Sequence, residues 1–325
     1  MLVRWGLREL GGALAAVGVV RPLLVTTRRW AGLELPVERR FAGVGPHADA
    51  AAVREAIAAT RAAGADGLVA VGGGSAIDSA KAVSADADLP VVAVPTTYAG
   101  AEWTTGFGSR DATASVKRHG SGARVEAIVY EPSLTLGLPP GETGGTALNA
   151  LAHCAEALYS PGRSPVTDAE ALLGARLIAA SLPRVLDDGA DVDARADLLR
   201  GAMHAGASLR AGVCVAHALA QALGGATGVS HGRLNAICLP IGLRFNAEVA
   251  ADELARLAEA MGTTDPVGWI EDAAARSGPT RLRDHGVPAG DLPRIAEAAA
   301  ERAPARANPR PVSAADALAL LRAAW

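Results

Sequence analysis

"VAVGGGSAIDSAKAVS", residues 69–84, sets Gly72, Gly73 and Gly74 between an apolar run and a stretch with helical spacing. Consecutive glycines between a buried strand and a helix let the backbone bend sharply and let a ligand come close to the peptide groups. The helix that starts there offers amides without intrahelical acceptors and the positive end of its dipole, a seat for a pyrophosphate. Ser75 can cap that helix or donate to a phosphate oxygen. The same glycines also suit a tight turn that binds nothing, and "GGGS" is not G-x-G-x-x-G spacing. The stretch "VPTTYAG" tips the balance toward a ligand. It places Thr96, Thr97 and Tyr98 just after the next strand, at the carboxyl edge where ligands of parallel sheets gather.

Working outward, "RPLLVTT" (21–27), "GLVAV" (67–71), "PVVAVPTT" (90–97) and "RVEAIVYEP" (124–132) read as short buried strands. Helical stretches such as "HADAAAVREAIAATRAAGAD" (47–66) lie between them. That alternation predicts an α/β domain with a parallel sheet covered on both faces. From about Thr143 onward helical periodicity continues, broken by Gly and Pro, with almost no strand signal. The change falls at Pro139–Gly141, so a ligand-binding α/β domain over 1–140 and an all-α domain over 141–325 are expected.

Composition bounds the function. Of 325 residues half are apolar but only 3% aromatic, which predicts a core of Ala, Leu and Val. A formal charge of −3 without long like-charged runs gives no nucleic-acid or anionic-membrane partner. Cys154, Cys214 and Cys238 show no CxxC spacing, which argues against a disulfide framework or thiolate zinc and fits a reducing, cytoplasmic setting. "GGALAAVGVV" faintly imitates a signal sequence. Glu9 before it and Arg21 after it favour a helix leading into a strand.

Four polar residues stand out in the helical half. Asn149 and His153, at i and i+4, share one helix face; His217 lies in "CVAHALAQALGG" and His231 in "VSHGRLNA". Each alone suits a hydrogen-bonded interior side chain. Together, three imidazoles make a candidate catalytic group, and imidazole also suits zinc or ferrous iron. An asparagine is a poorer ligand than a carboxylate, so a metal on His153, His217 and His231 would be held weakly or not at all. Lys117 and Arg233 are possible partners for an anionic substrate, with solvent as the alternative for each.

In order along nearly the whole chain, "VGGGSAIDSAKAVS", "VPTTYAGAEWTT", "YEPSLTLGLP", "ALNALAHCAEALYS", "VAHALAQALGG", "SHGRLNAICLP" and "NPRPVS" resemble the iron-containing alcohol dehydrogenase superfamily, within it the maleylacetate reductases. The fourteen-residue step from His217 to His231 is similar to the family's spacing of two ligand histidines. The resemblance implies a Rossmann-like domain followed by an all-helical one, the dehydroquinate synthase-like plan, with the active site in the cleft between them. It implies NADH or NADPH as coenzyme, with Gly73, Gly74, Ser75 and Asp78 at its pyrophosphate and Thr96 and Thr97 beside it. It sets Asn149 where metal-dependent members have an aspartate, with His153, His217 and His231 as catalytic or metal-binding residues. It implies reduction of an activated carbon–carbon double bond, the chemistry that turns maleylacetate into 3-oxoadipate. A homodimer is expected. Two departures bear on substrate: Gln221 stands where the reductases carry a further histidine, and "VKRHGSGARVEAIVYEP" is short against the family.

After the first predicted strand, Thr27, Arg28 and Arg29 stand where an NADH-selective enzyme carries an acid, so NADPH should be accepted. Three other readings remain beside the reductase: a metal-dependent alcohol or aldehyde dehydrogenase, a lyase-like relative of dehydroquinate synthase, and a non-catalytic NAD(P)-binding protein with a decayed site.

Overall fold

The computed structural model describes residues 1–111 and 116–325, and its contacts divide the chain into Met1–Thr135 and Leu136–Trp325. The first unit runs β1 (Leu2–Trp5), α1 (Leu10–Ala16), β2 (Pro22–Thr26), β3 (Arg39–Phe41), α2 (Ala50–Ala63), β4 (Gly67–Gly72), α3 (Gly74–Ala87), β5 (Pro90–Pro95), β6 (Phe107–Asp111), β7 (Val116–Gly120) and β8 (Arg124–Tyr130). Six strands form a parallel sheet in the order β1-β8-β5-β4-β2-β3, and β6 pairs antiparallel with β7.

The central strands are apolar on both faces because both are covered. Val69 and Val71 of β4 pack with Leu10, Ala13 and Leu14 of α1. Leu68 and Ala70, alternating with them, pack with Ala56 of α2 and Ala76, Ile77, Ala80 and Val83 of α3. Alanines on the helices let them lie close to the sheet. Asp49 caps α2 by accepting from the Ala51 and Ala52 amides, and Gly64 ends it in the left-handed region. Strands β1 and β3 and the β6–β7 hairpin are additions to the four strands expected. The edge strands "LVRW" and "RRF" are short and carry arginines, as edges exposed to water do, so neither presents an apolar run.

The topology fixes where a ligand belongs. From β2 the chain steps to β3 on one side and then to β4 on the other. This reversal opens a crevice beyond the carboxyl ends of β2 and β4.

The second unit contains α4 (Pro140–Ala157), α5 (Pro165–Asp187), α6 (Val192–Ser208), α7 (Val215–Thr227), α8 (His231–Asn246), α9 (Ala251–Met261), α10 (Pro266–Ser277), α11 (Leu292–Ala300), α12 (Ala303–Arg306) and α13 (Ala314–Ala324). No strand occurs among its described residues. Helix α4 is buried along most of its length, so the polar Asn149, His153 and Glu156 that it carries lie in the interior. Among the described residues no helix is long and apolar enough to cross a membrane.

Candidate active site

The glycine turn is built by steric necessity. Gly72 ends β4 at φ 148°, and a Cβ there would meet the Ala76 Cβ at 2.7 Å. Gly73 flanks α3 as its cap residue, and its Cβ would meet the Thr97 Cγ2 at 2.8 Å. At Gly74 a Cβ would find nothing within 4 Å, so the first turn of α3 faces open space. Register sets Thr26 beside Val71 and Gly72 beside Pro95, which brings Thr27, Gly73 and Thr96 to one level at the carboxyl edge. Thr27, Gly73, Gly74, Ser75, Thr96 and Thr97 therefore gather around the crevice. The start of α3, with the positive end of its dipole, makes this cradle suited to an anion.

Two details differ from the sequence expectation. Asp78 lies one helical turn further along α3 and is engaged within the protein: Oδ1 is 3.1 Å from the buried Lys81 Nζ, and Oδ2 accepts from the Gly108 amide at 3.1 Å. Lys81 also donates to the Ala101 carbonyl at 2.8 Å and the Thr104 hydroxyl at 3.0 Å, so Asp78 neutralises a buried cation. The Ser75 hydroxyl accepts from the His47 amide at 3.0 Å. His47 and Ala48 both hold positive φ, 57° and 49°, an uncommon conformation for side-chain-bearing residues, against the glycine turn. Arg28 and Arg29 are exposed just beyond β2, with the Arg29 guanidinium 5.0 Å from the Trp30 ring centroid.

In the second unit, α4, α7 and α8 bring the four polar residues together. The His153 and His217 rings stack with centroids 4.9 Å apart, and the His217 and His231 centroids lie 5.7 Å apart. Asn149 Nδ2 is 3.5 Å from His153 Nε2. Burial, followed by the neighbouring His217 and His231, pushes the His153 imidazole well below its usual range, so it is neutral.

Two residues of this cluster went unnoticed in the sequence. Glu156, fully buried on α4, accepts from His217 Nδ1 at 2.6 Å and from the Cys214 and Ala216 amides at 2.8 Å each. It thus caps the start of α7 and orients the imidazole that α7 carries. The signal was a single acid, three residues after His153, in an otherwise apolar stretch. Asn235, also fully buried, places Nδ2 2.7 Å from Asn149 Oδ1 and 2.9 Å from His231 Nε2. Its signal was the i+4 spacing from His231.

These residues do not fit a metal centre. A bound cation must take lone pairs from its ligands, yet the Asn149 oxygen and His231 Nε2 both face the Asn235 amide nitrogen, a donor. The His153 and His217 rings stack at 23° with their centroids 4.9 Å apart. Among the described residues no group of three or more His, Cys, Asp or Glu side chains is arranged to hold a metal ion.

Arg233 does not join the imidazoles. It lies two residues beyond His231, its Nε 3.9 Å from Glu142, in space left free by Gly141 and Gly278. The Lys117 side chain lies outside the described residues. His204 of α6 meets Glu170 of α5 at 2.6 Å.

The model of the iron-containing alcohol dehydrogenase family matches residues 4–124, and that of its C-terminal domain matches residues 143–325. The maleylacetate reductase of Pseudomonas knackmussii is 36% identical over 333 residues, covering 98% of this chain and 93% of its own. The crystal structure of maleylacetate reductase from Rhizobium sp. strain MTP-10005 superposes with a TM-score of 0.90 at 33% identity, covering 100% of this chain and 95% of that one. A putative alcohol dehydrogenase from Ralstonia eutropha JMP134 gives 0.92 at 36% identity, with the same coverage of 100% and 95%.

Proposed function

The chain belongs to the iron-containing alcohol dehydrogenase family and is an oxidoreductase, and from that premise we propose that it reduces a small anionic unsaturated oxo acid, maleylacetate or a close analogue, with NADPH or NADH. The observation that carries this reading is the hydrogen-bonded cluster of Asn149, Asn235 and the three imidazoles. Asn149 stands where the metal-dependent members have an aspartate, and its oxygen is engaged by Asn235. Full-length similarity to maleylacetate reductases supports the same reading.

In this proposal Gly73, Gly74 and Ser75 hold the coenzyme's phosphates through first-turn amides, with Thr96 and Thr97 alongside and Thr27 at the ribose. When bound, the reduced nicotinamide supplies a hydride. Asp78 supports this site by tying α3 to β6 through the Gly108 amide and by neutralising Lys81 on its own helix. Arg28 and Arg29 offer positive charge to a 2′-phosphate. As the substrate's double bond accepts the hydride, its π electrons move to the carbonyl oxygen and form an enolate. An imidazole N–H of His153, His217 or His231 donates to that oxygen, and a proton delivered to carbon restores the ketone. Because His153 is neutral, it stabilises the enolate by hydrogen bonding without carrying charge.

Oxidation of NADPH and NADH, followed with maleylacetate and in parallel with small aldehydes, tests this. Turnover confined to the unsaturated oxo acid is the expected result. Turnover confined to aldehydes would favour the alcohol dehydrogenase reading, which the likeness to the Ralstonia eutropha protein keeps in play.

A further inference from the structure

We infer that Asn235, which the proposed reaction does not touch, is a positioning residue that fixes which nitrogen of His153 and of His231 carries the proton. The His231 backbone carbonyl can only accept, and Asn235 Nδ2 lies 3.3 Å from it, so the nitrogen end of the carboxamide faces this side. The same nitrogen is 2.7 Å from Asn149 Oδ1 and 2.9 Å from His231 Nε2. Receiving an N–H at Nε2, a neutral His231 holds its proton on Nδ1. Receiving an N–H at Oδ1, Asn149 turns its own Nδ2 toward His153 Nε2, so neutral His153 also holds its proton on Nδ1. The cost of this orientation is visible: Asn235 Oδ1 is buried with no hydrogen-bond partner among the described residues.

His217 is set independently. The Glu156 carboxylate, which already receives two backbone amides, accepts the His217 Nδ1–H, so a neutral His217 carries its lone pair on Nε2. His153 Nδ1 and His217 Nε2 are both buried without a partner among the described residues, on rings stacked 4.9 Å apart. The pair offers one N–H and one acceptor. His153 Nδ1–H is then the donor to the enolate oxygen, an assignment that rests on the reductase reading; the proton positions do not.

The test is the isosteric variant Asn235→Asp in the full chain with 15N-labelled histidine, read by long-range proton–nitrogen correlation. Wild type should show all three imidazoles protonated at Nδ1. In the variant, a carboxylate that only accepts should draw a proton onto His231 Nε2, rotate Asn149 and move the His153 proton to Nε2. His217, held by Glu156, should not change and serves as the internal control for the fold. With maleylacetate the variant's kcat should fall by about a hundredfold with KM little changed, the scale of losing one oriented donor. Wild-type His153 or His231 protonated at Nε2 would overturn the inference even if the variant failed to fold. So would unchanged His153 and His231 tautomers in a folded variant. Tautomers that shift as stated in a protein inert toward maleylacetate would leave the positioning role standing and remove only the substrate.

Discussion

Glu156 and His217, sixty-one residues apart in sequence, meet in the interior with 2.6 Å between Oε2 and Nδ1. The contact joins α4 to α7 and decides which face of the imidazole is presented. Three N–H groups converge on one carboxylate, so replacing either oxygen by NH2 sets a donor against a donor. Glu156→Gln should cost about 2–4 kcal/mol of stability, measured by urea denaturation. Turnover in the folded fraction should fall as well, because His217 Nε2 no longer has to be the unprotonated atom.

The glycine turn separates structural from ligand-driven roles. Gly72→Ala combines a positive φ with a clash at Ala76 and should lower the melting temperature markedly. Gly74→Ala meets nothing within 4 Å. It should leave stability unchanged or raise it by about 0.4–1 kcal/mol, yet weaken NADPH and NADH binding by tenfold or more, measured by calorimetric titration. Undiminished nucleotide affinity in Gly74→Ala would place the phosphates elsewhere.

Glu102 makes the first unit pH-sensitive. Burial pushes its carboxyl up to about 7, opposed by its own backbone, the Tyr130 hydroxyl and Lys81. The Tyr130 hydroxyl donates to it at 3.0 Å and receives the Trp103 indole N–H at 2.8 Å. Since the folded value lies above the ordinary 4.5, the contribution is fully present below 4.5 and is lost as pH rises through about 7. Glu102→Gln keeps the acceptor without the ionisation. The variant's melting temperature relative to wild type should therefore climb by several degrees between pH 5 and pH 8, and a constant difference would contradict this.

Cys154, Cys214 and Cys238 are buried, and burial raises each thiol far above its usual range. In the native protein none should react with a thiol-specific disulfide reagent over minutes, whereas all three should react after unfolding in guanidinium.

Much of this is legible in the sequence. The buried strands β2, β4, β5 and β8 announced themselves because central parallel strands are apolar on both faces, and Asn149 and His153 because i and i+4 share a helix face. The edge strands were silent, being short and half in water. What remained hidden in the site was nonlocal. Asp78 could be placed on α3 but not paired with Lys81 and Gly108. Glu156 and Asn235 are polar residues in largely apolar stretches of their helices, and only the packing of α4, α7 and α8 turns them toward the imidazoles. For Arg233, two residues from His231, the sequence left a substrate carboxylate or solvent open, and a step of two residues on a helix sends it to the opposite side from His231.

The most direct test of a metal-free, hydrogen-bonded imidazole cluster is maleylacetate reduction by protein stripped of metal with a strong chelator, with metal content measured on the same sample. Turnover with NADPH or NADH should survive stripping and should not be raised by added zinc or ferrous ion. Activity that disappears on stripping and returns with either ion would contradict this, and would mean that Asn235 yields its two hydrogen bonds to a metal.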